Sequence, residues 1–355
     1  MELRFGVIGA GRIGTLHAKN LGHLIPHTRV TWVADPREAC AQAAAATASN
    51  THVDGNGTND SQQARATVDY RQVLHAADVD AIIIASSTDT HIPIIEEAAA
   101  AGKHIFCEKP VDHDVERIRA ALRHVKKAAV RFQVGFNRRF DPDFRHLIQQ
   151  VHSGRVGVPH LIRITSRDPE PPTIEYIKRS GGLFLDMSIH DLDMARALVQ
   201  EEIVEIYAAG SSMVDPAIAA VGDIDTAMIT LRYANGALCS IDNSRKALYG
   251  YDQRIEVFGS GGCVVADNNT PTRVSHWDSM GQHQERPHEF FLERYRESYI
   301  AEMQEFATSI RKGRAPKVNG VDGLQAVVLT HAAQRSLETG NPVSLGASRS
   351  QEDAA

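Results

Sequence analysis

The chain has 355 residues, 43% hydrophobic and 23% charged, with a formal net charge of −6. That is the composition of an ordinary soluble globular protein, and the length suggests two domains. Both charge signs are mixed along the chain with no basic tract, which argues against a nucleic-acid partner, and apolar runs such as Ala81–Ala85 are far too short to span a membrane. The cysteines (Cys40, Cys107, Cys239, Cys263) form no C-x-x-C pair, and the start Met-Glu-Leu-Arg has no secretory signature. Neither a zinc site nor a disulfide framework is expected, and a reducing cytoplasm fits.

Taken in order, Phe5–Ile8 reads as a buried strand, followed at once by Gly9, Gly11 and Gly14 in G-x-G-x-x-G spacing and then a helix from about Ile13 to Leu24. Gly9 permits the tight turn, Gly11 lets a pyrophosphate approach the backbone, and Gly14 lets helix and strand pack closely. The first helical turn, Arg12 and Ile13, offers unpaired N–H groups and positive partial charge to phosphates. A second strand, Val30–Ala34, ends in Asp35, 24 positions beyond Gly11, where an acid suits a ribose 2′-hydroxyl. An Ala/Gln-rich helix follows, then a polar, Gly/Asn-rich stretch at about 49–64 that reads as a mobile surface loop. Val79–Ala85 is a strand, Ile92–Ala101 a helix with Pro93 in its first turn and Gly102 at its end, and His104–Cys107 a strand. Asp112 caps a predicted helix reaching Lys127, and Arg131–Phe136 is a further strand. Alternating strands and helices predict an α/β fold with a mostly parallel sheet.

The second half changes character. Helices are predicted at Asp143–His152 and Leu185–Val199, a strand at His160–Ser166, and strands with tight turns from Ile203 to about Trp277. Thr226–Tyr233 and Ala237–Asn243 form a hairpin with a two-residue Asn235-Gly236 turn, both residues at positive φ. Phe291, Tyr295, Tyr299, Met303, Phe306 and Ile310 make one apolar stripe on one long helix, read as core. Asp322–Thr339 is a last helix closed by Gly340, and the tail after Leu345 should fray. The pattern predicts an open, mostly antiparallel sheet with helices on one face.

In an open parallel sheet, ligands bind beyond the carboxyl ends of the strands. The residues after successive strands are the glycine turn, Asp35 with Arg37 nearby, Ser86 to His91 (with Thr88), Glu108-Lys109-Pro110, and Asn137-Arg138-Arg139. All are polar and all fall on one edge. A lysine there can polarise a substrate oxygen and help shuttle a proton; alone Lys109 reads as a surface lysine before a turn, and beside the other four clusters it does not. Pro110 holds Lys109 extended and permits a cis bond. Further on, Asp186 and His190 are four apart, neighbours on a helix. A carboxylate beside an imidazole fixes its tautomer and steadies its protonated form, giving a general base; an acid-rich helix start is the bland alternative. No third ligand cluster stands out, so no metal is expected.

At these residues the chain resembles the Gfo/Idh/MocA family of nicotinamide-dependent oxidoreductases, over about Leu3 to Leu345. The matching elements are Gly9-Ala-Gly-Arg-Ile-Gly14, Thr88-Asp-Thr-His91, Glu108-Lys-Pro110 and Gly181-Gly…Asp186…His190. Glu-Lys-Pro together with Asp-x-x-x-His is specific to the family. Asn137-Arg-Arg-Phe-Asp141, the Asp186–Asp193 stretch and the Tyr249–Phe258 stretch look most like its inositol 2-dehydrogenases. The resemblance implies a Rossmann domain over 1–136 and an α+β domain for substrate and oligomer contacts over 137–320, with a helix at about 321–340 returning to the first. A homo-oligomer, dimer or tetramer, follows from it.

Carried over residue by residue, Gly9, Gly11, Arg12, Ile13, Asp35, Arg37, Ser86, Thr88, His91, Glu108, Lys109 and Asn137 hold the cofactor. Asp35 favours NAD over NADP, with Arg37 leaving NADP open. His190 takes a hydroxyl proton, Asp186 orients it, and Lys109 hydrogen-bonds the same oxygen. Arg139, Asp168 and Tyr249 contact other hydroxyls of the substrate, and a structural salt bridge is an equal reading for Arg139. The implied reaction is oxidation of a secondary hydroxyl of myo-inositol or a related cyclic polyol. Rivals are another sugar or polyol dehydrogenase of the family, a NAD-dependent glycosidase acting by transient oxidation, and a cofactor-binding sensor. Lys109, Asp186 and His190 argue against the last. The polar insertion departs from the family pattern and is expected to leave the chemistry intact.

Overall fold

The computed structural model describes residues 2–53 and 59–346. The chain forms two compact units, Met1–Asn137 with Glu297–Leu324, and Arg138–Arg296 with the chain from Gln325 on.

The first unit runs β1 (Leu3–Ile8), α1 (Arg12–His23), β2 (Thr28–Ala34), α2 (Glu38–Ala48), β3 (Asn50–Val53), β4 (Asn59–Gln62), β5 (Arg65–Thr67), α3 (Tyr70–His75), β6 (Ala81–Ile84), α4 (His91–Ala100), β7 (His104–Glu108), α5 (Val115–Ala128) and β8 (Phe132–Gly135). Six strands pair in the order β5-β2-β1-β6-β7-β8, all parallel. β6 is Ala-Ile-Ile-Ile with every residue buried, as a central parallel strand covered on both faces requires. The winding reverses at β1, which has β2 on one side and β6 on the other, so a crevice opens where those strands end. Gly9 sits there at φ +94°, and an added Cβ would stand 2.5 Å from the Ala85–Ser86 peptide. A Cβ on Gly14 would run into the Gly9 carbonyl, so only glycine lets α1 lie this close to β1. The core gathers Phe5, Val7, Leu21 and Phe106 around Met303 and Phe306 of the Arg296–Arg311 helix.

Two expectations are corrected here. The helix after β7 is capped not by Asp112 but by Asp114, whose carboxylate accepts the N–H groups of Glu116 and Arg117; Asp112 in turn accepts the Asp114 N–H. The polar insertion contains two strands, β3 and β4, paired antiparallel from Asn50↔Gln62 to Val53↔Asn59. The rest of the expected mobile loop, residues 54–58, lies outside the described residues, as does the tail from residue 347.

The second unit runs α6 (Pro142–His152), β9 (Pro159–Arg167), α7 (Ile174–Ser180), α8 (Ile189–Leu198), β10 (Ile203–Ser211), α9 (Pro216–Ala220), β11 (Thr226–Tyr233), β12 (Leu238–Ser244), β13 (Asp252–Gly259), β14 (Gly262–Ala266), β15 (Ser275–Asp278), β16 (Gly281–Gln284) and β17 (Val343–Ser344). Seven strands pair in the order β14-β13-β9-β12-β11-β10-β17, antiparallel except for β9 with β12. Strict alternation of burial along β11 marks one packed and one open face. The β11–β12 turn differs from the expected two-residue form. Only Gly236 has positive φ, +90°, and the Gly236 N–H donates to the Tyr233 carbonyl at 2.9 Å. With Tyr233 paired to Ala237, the loop has three residues, a turn closed by one left-handed glycine. The expected apolar stripe is also split: Phe291–Arg294 is a separate short helix, and the long one begins at Arg296.

Candidate active site

In the first unit the polar residues after each strand take these places. The Asp35 carboxylate is buried and accepts the Ala10 N–H at 2.8 Å and the Arg37 N–H at 2.9 Å, with the Arg37 guanidinium Nε at 3.0 Å. Burial raises its pKa, but the hydrogen bonds from Arg37 and Ala10 outweigh this and hold the carboxyl below its ordinary range. Gly11, at the start of α1, has open space where a Cβ would sit, and no side chain caps that helix. Backbone N–H groups at an uncapped helix start beside an open glycine fit a pyrophosphate.

The Ser86 hydroxyl pairs with that of Thr90 at 2.7 Å, beside the short turn Thr88–Thr90. His91 is buried; its Nδ1 lies 2.9 Å from the Pro110 carbonyl and its Nε2 3.2 Å from that of Ser86. Burial pushes its pKa down against those two contacts. His91 therefore ties the segment after β6 to the one after β7. Glu108 ends β7, and Lys109 follows half-buried, joined to Pro110 by a cis peptide bond. Buried Asn137 follows β8 and its carbonyl accepts the Ser298 hydroxyl. The Asn137 side-chain amide nitrogen is buried with no partner in the structure, as a ligand-facing group would be.

In the second unit Gly181 and Gly182 both take positive φ, +84° and +83°, and turn the chain out of α7. Phe184–Ser188 then forms a π-helical turn that leads into α8, so Asp186 and His190 stand on different helical forms, not on the single helix expected. Such wide turns insert one residue and re-aim the side chains around it. The Asp186 carboxylate accepts the Tyr176 hydroxyl at 2.8 Å and the Arg245 Nη1 at 3.1 Å. The Arg245 side chain is 1% exposed, and its Nη2 lies 3.9 Å from Asp223. Asp168 is half-buried; desolvation first, and the Asp186 charge against the pull of Arg245, push its pKa to about 6. Arg139 pairs with buried Asp193 at 3.2 Å. The Tyr249 hydroxyl donates to Asp252 at 2.5 Å and accepts Arg167 at 3.0 Å. Beside them, Arg138 meets Asp191 at 2.5 Å in a buried network with Asn243 and Ser166. Tyr176 and Arg245 escaped the sequence reading: they reach Asp186 from 10 and 59 residues away, and no motif spacing signals either contact.

A six-stranded parallel sheet with a glycine turn at its switch point and an acid after the second strand, followed by a mixed-sheet α+β unit, defines a two-part Rossmann oxidoreductase. Residues 3–136 match the model described as "Oxidoreductase family, NAD-binding Rossmann fold", and residues 144–265 match the GFO/IDH/MocA C-terminal domain. The chain belongs to the GFO/IDH/MocA family of oxidoreductases. It is 49% identical to the uncharacterized oxidoreductase YrbE of Bacillus subtilis, over 96% of each chain. It is 45% identical to the myo-inositol 2-dehydrogenase of Thermotoga maritima, over 97% of this chain and 98% of that one. Among solved structures it is similar to scyllo-inositol dehydrogenase from Lactobacillus casei with bound NAD(H) and scyllo-inositol: TM-score 0.87, 30% identity, covering 97% of this chain and 99% of that chain. Among the described residues no helix is long and apolar enough to cross a membrane.

Proposed function

We propose that this chain is a NAD-dependent dehydrogenase that oxidises a secondary hydroxyl of myo-inositol or a related cyclic polyol to the ketone. The observation that carries the reading is the Asp186 carboxylate, fixed by the Tyr176 hydroxyl and the buried Arg245 guanidinium, four residues before His190. The relatives named inositol dehydrogenases support the substrate class. His190 takes the hydroxyl proton, Asp186 orients the imidazole and balances the charge it gains, and Lys109 hydrogen-bonds the same oxygen as it becomes an alkoxide. Bound nicotinamide supplies the acceptor for the carbinol hydride. Asp35 holds the adenosine ribose and favours NAD over NADP; Asp168, Arg139 and Tyr249 serve the other ring hydroxyls.

The chain works in the cytoplasm as a homo-oligomer. The open sheet face supports the oligomer, with Met228, Leu238, Phe258 and Val265 between 42% and 61% exposed on adjoining strands. The test is NAD and NADP reduction across inositol isomers and hexoses, with light scattering for the subunit count. Turnover of an aldose with none of any inositol overturns the substrate assignment, and a preference for NADP overturns the cofactor assignment.

A further inference from the structure

At the end of β7 the first unit gathers three ionisable groups, two of them buried, of which Glu108 alone is expected at the cofactor. His17 comes from α1, Glu108 from β7 and Glu302 from the Arg296–Arg311 helix, and their ligand atoms lie within 4.8 Å of one another. His17 and Glu302 have side-chain exposures of 0%, and Glu108 of 16%. His17 Nε2 stands 2.6 Å from Glu108 Oε1 and 3.9 Å from Glu302 Oε1. Both Glu302 oxygens and His17 Nδ1 are buried without a hydrogen-bond partner in the structure.

A contact of 2.6 Å between a ring nitrogen and a carboxylate oxygen needs a proton between them. An orphaned lone pair on Nδ1 costs less than an orphaned N–H, so the imidazole proton belongs on Nε2, donated to Glu108. Two bare carboxylates beside one neutral imidazole would leave two buried negative charges, which burial does not tolerate. Desolvation, and then the charge of Glu108, push Glu302 well above the ordinary carboxyl range. The Phe106 and Tyr299 rings flank His17, and His91 and Cys107 feel the Glu108 charge. A Cβ on Gly135 would stand 2.8 Å from Glu108 Oε2, so that glycine keeps room for the carboxylate.

We propose that His17, Glu108 and Glu302 form a buried cluster holding two protons, one between His17 and Glu108 and one on Glu302, and that it presents Glu108 as a carboxylate favouring the oxidised, positively charged nicotinamide over the reduced, neutral one. His17 and Glu302 are thus positioning residues acting through Glu108. The proposal rests on the reading that Glu108 contacts the cofactor.

The test measures dissociation constants for NAD+ and NADH from pH 6 to 9 in the wild type, Glu108→Gln, His17→Leu and His17→Gln, with an infrared spectrum of the ligand-free wild type and Glu302→Gln. His17→Leu removes the donor and should weaken NAD+ binding on the order of tenfold, the scale of one partly screened charge pair, while NADH changes much less. His17→Gln restores a donor near the Nε2 position and should recover most of the difference. The wild type should show a protonated-carboxyl band at neutral pH that is lost in Glu302→Gln. Absence of that band, or a stoichiometric divalent metal in the purified protein, overturns the two-proton cluster, and neither readout needs the His17 variants to fold. If Glu108→Gln shifts the NAD+/NADH ratio and His17→Leu does not, the positioning role falls while Glu108 keeps its place at the cofactor. If Glu108→Gln changes neither constant, the cofactor reading of Glu108 itself falls.

Discussion

Replacing Glu302 with glutamine should change how stability depends on pH, and the structure gives the size. Glu302 is buried, and its pKa is raised well above normal by desolvation and by Glu108. In the unfolded chain a glutamate releases its proton near pH 4.3. Between that pH and the raised folded value, the native state therefore holds one proton more than the unfolded state. Stability then falls as pH rises, by about 1.4 kcal/mol per pH unit for one proton. Glutamine keeps the shape and removes the titration, so the variant loses that slope. Over the pH range between those two values the wild type should lose about 1.4 kcal/mol per pH unit more than Glu302→Gln. For a chain of 355 residues that corresponds to a relative shift in melting temperature of roughly 2 °C per pH unit. The assay is calorimetry of both ligand-free proteins across that range, and the quantity read is the difference in slope, because any packing cost of the amide is a constant offset. Parallel curves would mean that Glu302 is ionised in the native protein, and the charge argument for the cluster would be wrong.

Lys109→Ala should lower kcat roughly a hundred- to ten-thousand-fold while leaving the NAD dissociation constant nearly unchanged; equal loss of both would contradict a role on the substrate oxygen. Asp35→Ser should raise the KM for NAD roughly ten- to hundredfold and narrow the gap to NADP, read from initial rates with each cofactor. Arg245→Met leaves the Asp186 and Asp223 charges without their guanidinium and should cost about 3–5 kcal/mol in denaturant unfolding, with Arg245→Lys recovering part. Asp168 is ionised only above about pH 6, so the polyol KM should climb as pH falls through that value, and Asp168→Asn should flatten the profile. Its effect on stability has the opposite sign, falling as pH rises from the ordinary carboxylate range towards about 6.

The parts of this fold that were legible are those where local chemistry leaves one solution. Phe5–Ile8 with Gly9 and Gly14 can only be a buried strand turning tightly into a helix, and Ala81–Ile84 can only be a central strand. Choices between near-equivalents were not legible. Asp112 and Asp114 are both good caps two residues apart, and which one caps depends on where the chain leaves β7. Asn-Gly fits a two-residue turn and a three-residue turn with a single left-handed glycine, and strand register decides. A π-helical turn inserts one residue without disturbing the apolar pattern around Asp186, so periodicity alone reads straight through it. Tyr176 and Arg245 are long-range partners whose contacts exist only once α7 and the end of β12 are in place.

The two candidate constellations balance buried negative charge in different ways, and the difference follows from what each is asked to do. Around Asp186 the compensating groups are guanidiniums: Arg245 on Asp186, Arg138 on Asp191 and Arg139 on Asp193. Arginine does not lose its charge at any working pH, so in the proposed reaction these carboxylates keep a fixed counter-charge while the base changes charge. Around Glu108 the partner nitrogen is that of the His17 imidazole, and the second carboxyl, Glu302, is pushed well above the ordinary carboxyl range. That arrangement can change its proton content when a charge is added or removed nearby, which a nicotinamide does on every turnover. Exchanging the two strategies should therefore be asymmetric. A histidine in place of Arg245 would make the counter-charge at Asp186 pH-dependent near neutrality, whereas an arginine in place of His17 would set a permanent cation against Glu108.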